Sequence, residues 1–262
     1  MIDDAAIESA ASRGVEPQLS QRAYEALRAM AITYRLPPGS RLNEGELARA
    51  LNVSRTPLRE AMNRLVSEDL LVSVKGRGFF ARALEVQEVL ALYEARLGIE
   101  TFIVQLACAR AEPRDLDELD AYLDRSSAAH EGAEVDDLVR LDEGFHERVA
   151  RLTGNPELLR ILQNINARIH FFRWVDMRGR RDQTQAEHRA LVAAIRSGIE
   201  ADALDIARHH ITRRLDQIVE GIREGYARLY MGEGPKLGEG PRIDEAPRPT
   251  EISNRETDQD RS

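Results

Sequence analysis

Apolar positions recur at helical spacing along most of this chain. Tyr24, Leu27, Met30 and Ala31 mark one face of a helix from Ser20 to Tyr34. Two prolines and a glycine in Leu36-Pro-Pro-Gly-Ser-Arg-Leu42 stop it and predict a turn. Leu47, Ala48 and Leu51 fall together on a short second helix from Glu44, and only Asn52 and Val53 separate it from the next. That third helix starts at Ser54, whose hydroxyl can cap an orphan amide of the first turn. Pro57 fits the same turn, where a missing N–H costs nothing. Leu58, Ala61, Met62 and Leu65 predict the buried face, while Arg55 and Arg59, four apart, project together. Ser54, Arg55, Thr56 and Arg59 thus cluster at the N-terminal end, the part of a recognition helix that enters a DNA major groove.

The period changes after Asp69. Leu70-Leu-Val-Ser-Val, a Gly-Arg-Gly turn and a second apolar run predict a β-hairpin wing, with Lys75, Gly76 and Arg77 at a tip that would reach a phosphate or the minor groove. Beyond it the 3.6-residue period returns over Val86–Arg110, from Pro113 through Leu123, and over 137–152, 157–177, 183–197 and 201–230. No strand pattern follows the wing. The fold class is mainly α: a winged helix-turn-helix of three helices and a hairpin over residues 18–83, then an all-α bundle of six or seven helices over residues 84–230. Residues 1–17 are small, polar and acidic, and residues 231–262 carry GEGPKLGEGPRIDEAPRPTE; both predict disordered tails.

Charge sharpens this division. The chain carries a net charge of −8, yet residues 18–83 hold eleven basic against six acidic side chains. Basic charge therefore sits on the segment with the candidate recognition helix. The single cysteine, Cys108, lies in an apolar helical run and reads as a small buried hydrophobe. No apolar run approaches the ~18 residues that span a bilayer, which predicts no membrane partner and a cytoplasmic location.

The bundle offers one candidate for metal chemistry. Asp142 and His146 are four apart on one helix face, His188 stands on a second helix, and His209 and His210 are adjacent on a third. His210 shares its side with Ala203, Ile206 and Ala207, so it is the inward-facing one. One carboxylate and three imidazoles suit a first-row divalent ion. By spacing alone an isolated Asp/His pair on a helix is more often a surface or satisfied core pair than a metal site.

The pattern LNEGELARALNVSRTPLREAMNRLVSEDLLVSVKGRGFFA, Leu42 to Ala81, resembles the GntR family of bacterial transcriptional regulators. The resemblance implies that Arg55 and Arg59 contact operator bases, that Ser54 and Thr56 bind backbone or base edges, and that the wing tip enters the minor groove. Gly45 stands where some members have a DNA-contacting arginine, and Asp69 replaces a common helix-ending glycine. The segments YEARLGIE, LDEGFHERVARLTGNPEL and EHRALVAAIRSGIEADALDIARHHI resemble the effector-binding FCD domain of the FadR-type branch. That resemblance implies a divalent metal held by Asp142, His146, His188 and His210, zinc first among candidates, with nickel and manganese compatible. It also places Arg96 in the effector cavity, where a guanidinium fork with the metal would suit a small organic acid. A structural pair of Arg96 with Glu100 or an aspartate is the alternative. Glu143 and Glu187, beside ligands in sequence, are expected to point elsewhere.

The expected function is a metabolite-responsive regulator that binds a pseudo-palindromic duplex operator as a homodimer. Two other readings are a metal-dependent enzyme of the bundle and a regulator whose metal is purely structural. The enzyme reading lacks a nucleophile constellation, a nucleotide fingerprint and a second carboxylate assigned to the centre by motif.

Overall fold

The computed structural model describes residues 4–83, 85–128, 133–177 and 181–212, with side chains from residue 18 onward apart from 175–177 and 181–183. The expected tail over 231–262 and the end of the helix expected to reach Tyr230 lie outside the described residues. The chain divides into two compact units, one within residues 1–84 and one beginning at Glu85.

The first unit contains α1 (Asp4–Ile32), α2 (Glu44–Leu51), α3 (Arg55–Ser67), β1 (Leu71–Val74) and β2 (Gly78–Ala81). The first helix starts at Asp4, earlier than its apolar period suggests and within the stretch expected as a tail. Residues 4–14 hold four alanines, the strongest helix former, and no sustained apolar face, so propensity rather than amphipathicity favours helix there. Asn43 caps α2 by accepting from the amides of Gly45 and Glu46 at 3.0 and 3.2 Å. Asn52 closes α2 in the left-handed region at φ +51°. Leu58, Met62 and Leu65 of α3 are fully buried, with Leu27 of α1 and Leu71 and Phe79 of the hairpin among the same unit's core residues. The predicted buried face of α3 is therefore the observed one.

Strands β1 and β2 pair antiparallel from Leu71↔Ala81 to Val74↔Gly78, which leaves Lys75-Gly76-Arg77 as the turn. Gly76 and Gly78 adopt φ +75° and +93°, backbone that L side chains rarely take. The Pro-Pro-Gly segment does more than turn. Gly39 N donates to Ala81 O at 2.9 Å, Ala81 N to Ser40 O at 2.9 Å, and Leu42 N to Phe79 O at 2.8 Å, so this segment satisfies the outer edge of β2.

The second unit is all-helical among the described residues: α4 (Val86–Arg110), α5 (Pro113–Ala128), α6 (Val135–Leu152), α7 (Pro156–Met177), α8 (Arg181–Ser197) and α9 (residues 200–212). Gly154, at φ +64°, follows the end of α6 as the expected glycine stop, and Gly198, at φ +73°, separates α8 from α9. A continuous core joins these helices, with Ala107, Leu123, Phe145, Ala150, Leu162 and Ala203 fully buried. Cys108 is partly buried against it. No described helix is long and apolar enough to cross a membrane.

Candidate nucleic-acid interface and metal centre

The capping position sets up the first unit's exposed surface. Ser54 stands at the N-cap of α3 but makes no side-chain capping bond, contrary to the expectation from sequence. The third helical amide it would reach belongs to Pro57, which has no N–H. Ser54, Arg55, Thr56 and Arg59 are all exposed, as are Lys75, Gly76 and Arg77 at the hairpin turn. Arg59 is held in place on two sides. Its Nη1 donates to both oxygens of Glu44, at 3.1 and 3.3 Å, and its guanidinium carbon lies 5.5 Å from the Phe79 ring centroid. Arg77 sits similarly 5.6 Å from the Phe80 ring. Glu44 was not legible as a partner of Arg59, since fifteen residues separate them and no helical period connects them. Asp69 takes φ +58°, the conformation for which glycine is the ordinary choice, and pairs with Arg82 at 3.4 Å.

In the second unit the apolar stripes carry the polar centre inward. On α6 the buried positions Leu138, Val139, Asp142, Phe145, His146, Val149 and Ala150 follow one helical face. On α8, His188 shares its side with Leu191, Val192 and Ile195, and on α9, His210 lies with Ala203 and Ala207, whereas His209 is exposed. Asp142, His146, His188 and His210 come together with ligand atoms all within 4.8 Å of one another, each residue at most 4% exposed. His146 Nε2 is 3.2 Å from His210 Nε2, and Asp142 Oδ1 is 3.3 Å from His188 Nε2. The Phe145 ring stacks on His188, 3.9 Å between centroids.

Two carboxylates behind the imidazoles orient them. Glu187 Oε2 accepts from His210 Nδ1 at 2.7 Å, and Glu100 pairs with His146 Nδ1. With protons held on both Nδ1 atoms, the two Nε2 atoms turn lone pairs toward a common point. Their separation matches adjacent ligands on an ion with metal–nitrogen bonds of about 2.0–2.1 Å. The donor set therefore fits a divalent metal ion. Glu187 does not point elsewhere, as its sequence position beside His188 had suggested. A one-residue step on a helix turns the side chain by about 100°, and here that rotation carries Glu187 toward His210 on α9 rather than to solvent.

Arg96 is fully buried and its Nε pairs with Glu100, the alternative foreseen from their spacing. Its Nη2 is also buried and has no hydrogen-bond partner among the described residues. Burial alone would raise the Glu100 carboxyl, but the Arg96 guanidinium and the hydrogen bond from His146 hold it well below the usual carboxylate range. A polar ridge on α7 escaped the sequence reading: Gln163, Asn166, His170 and Arg173 recur at three- and four-residue steps, and the last three are buried. Arg173 pairs with Asp142 and Glu143, and His170 bonds to Glu143 and Asp136 at 3.1 and 2.8 Å.

An exposed basic helix end beside a hairpin defines the first unit as a winged helix-turn-helix, the fold of a DNA-binding module; the second is a helical bundle around a buried Asp/His cluster that could hold a metal ion. Residues 19–81 match the family described as bacterial regulatory proteins, gntR family, and residues 91–213 match the FCD domain. The chain is 41% identical over 202 residues to the Nta operon transcriptional regulator of Aminobacter aminovorans, covering 77% of this chain and 95% of that protein. It is 29% identical over 205 residues to the HTH-type transcriptional regulator YdhC of Bacillus subtilis, covering 77% and 92%. Among solved structures it resembles McbR/YncC of Escherichia coli, with a TM-score of 0.68, 20% identity, and coverage of 78% of this chain and 98% of that one. The chain belongs to the GntR family of DNA-binding transcriptional regulators and carries an FCD domain. Its relatives are regulators of transcription, not enzymes.

Proposed function

We propose that the protein is a metabolite-responsive regulator that binds a pseudo-palindromic operator as a homodimer, in the cytoplasm, under control of a small organic acid bound in the helical unit. The observation that carries the effector half is the buried Asp/His cluster, to which Arg96 is joined through Glu100 and His146, with the Arg96 Nη2 buried and without a hydrogen-bond partner among the described residues. Asp142, His146, His188 and His210 would hold the metal, zinc first, with nickel and manganese compatible. Bound there, the ion would supply Lewis-acid attraction for an oxyanion. The protein's own part is to orient the imidazoles through Glu100 and Glu187 and to present Arg96 to a carboxylate.

On the DNA side, Arg55 and Arg59 read base edges, Ser54 and Thr56 meet the backbone or base edges, and Lys75, Gly76 and Arg77 serve the wing. The 41% identity to a regulator named for control of an operon supports an operator as the target. An effector acts only through its differential affinity for the DNA-competent arrangement.

A thermal-shift screen of metabolic carboxylates on zinc-loaded and chelator-stripped protein tests this reading. A carboxylate that raises Tm of the loaded form alone and alters operator retention in a gel-shift assay is the expected result. A second reading, a purely structural metal, draws on the ion pair between Arg96 and Glu100. Zinc-dependent stability with no response to any carboxylate would select it.

A further inference from the structure

One buried cation of the helical unit, Arg173, meets the candidate ligand Asp142. Arg173, 1% exposed on α7, pairs through Nη2 with Asp142 Oδ2, while Asp142 Oδ1 lies 3.3 Å from His188 Nε2 on the imidazole side. Arg173 is itself braced from behind. Its Nη1 reaches Glu143 Oε1 at 3.3 Å and Asn166 Oδ1 at 3.4 Å. Glu143 is tied to His170 at 3.1 Å, and His170 to Asp136 at 2.8 Å.

We propose that Arg173 is a positioning residue that makes Asp142 a one-oxygen ligand, taking Oδ2 and leaving Oδ1, on the His188 side, to the ion. This rests on the reading of Asp142, His146, His188 and His210 as metal ligands. A carboxylate swings broadly about its last torsion and, unrestrained, can present both oxygens to a cation. A guanidinium nitrogen paired with one oxygen only, as Arg173 Nη2 is with Oδ2, leaves the other to be presented singly. Two effects then compete. A cation near the centre repels a divalent ion, whereas a fixed ligand no longer has to be ordered when the ion binds. The repulsion is small because the charge of Arg173 is shared between Asp142 and Glu143, which stand next to each other on α6. The ordering effect prevails. Restricting Asp142 to one oxygen also keeps coordination positions available for an oxyanion.

The test uses full-length protein carrying Zn(II) or Co(II), in the wild-type form and as Arg173→Gln, Arg173→Lys and Glu143→Gln. Zinc affinity is measured by competition with a chromogenic chelator, and coordination by the visible absorption of bound Co(II). Arg173→Gln is expected to weaken zinc about 10–100-fold, the range for partners behind a metal ligand, and to change the Co(II) spectrum. Arg173→Lys should recover part of that affinity, and Glu143→Gln, which leaves Arg173 unbraced, should lose less. Zinc bound by Arg173→Gln as tightly as by the wild type, with the same Co(II) spectrum, would overturn the proposal. If Arg173→Gln does not fold, an unchanged affinity and spectrum in Glu143→Gln overturns it equally. Wild-type protein that binds DNA but neither metal would instead sink the ligand assignment beneath it.

Discussion

His170 offers a quantitative test of the α6–α7 network. Burial would lower its pKa, yet hydrogen bonds and charges from Asp136 and Glu143 raise it from 6.5 to about 9. The folded state thus holds a proton that the unfolded chain releases near pH 6.5, so stability falls as pH rises between these values. At 1.36 kcal/mol per pKa unit, the charged imidazole contributes about 3 kcal/mol at pH 6.5, nearly all of it gone by pH 9.5. His170 is almost wholly buried, so solvent screening does not reduce this much. Trp174 is the only tryptophan and packs on Leu138 and Val139 in the same unit, so its fluorescence reports this unit's unfolding. Urea titrations followed at Trp174 should show the wild type exceeding His170→Gln at pH 6.5, with the difference shrinking by about 3 kcal/mol at pH 9.5. With a urea m-value of about 1–3 kcal/mol/M, that is a convergence of midpoints by roughly 1–3 M. Parallel pH profiles for the two proteins would refute the assigned charge, because every other titrating group is common to both.

Arg59→Ala should lose operator binding while keeping its melting temperature; at about 1–3 kcal/mol per bidentate base contact, two half-sites forfeit roughly 2–6 kcal/mol, and an intact footprint would remove Arg59 from the interface. His146→Ala should lose bound metal yet remain dimeric, checked by elemental analysis and light scattering, and a full metal complement would delete it from the ligand set. Glu187→Gln should weaken zinc about 10–100-fold by releasing the orientation of His210; unchanged affinity in chelator competition would show that Glu187 does not orient the ring. Asn52→Val should destabilise the winged-helix unit by about 1–2 kcal/mol, since a branched side chain is forced to φ +51°, whereas Asn52→Gly should stay within a few tenths of the wild type in chemical denaturation.

The helix-turn-helix, the wing and the inward choice of His210 over His209 were legible because each rests on local periodicity. Leu58, Met62 and Leu65 fall on one stripe whatever packs against it, and His210 shares phase with Ala203 and Ala207. Other features depend on pairing between distant segments. The edge contact of residues 39–42 with β2, the ion pair of Glu44 with Arg59, and the reach of Glu187 to His210 all join positions that no short period links. The α7 ridge was hidden differently. His170 and Arg173 sit among Ile169, Phe171 and Phe172, and in such a run polar residues read as a solvated face unless their partners on α6 are known. The early start of α1 was missed because alanine favours helix without marking a side.

The grouping of His210 with residues of α6 and α8 bears on how the last described helix is retained. Gly198, with its left-handed backbone, is the pivot from which α9 departs, and Ala203, Ala207 and Ile211 are its buried apolar positions. An ion clasped between His210 and the earlier helices would act as a removable rivet across a span of more than sixty residues. Stripping it should free the chain after Gly198 to protease attack well before the remaining bundle gives way.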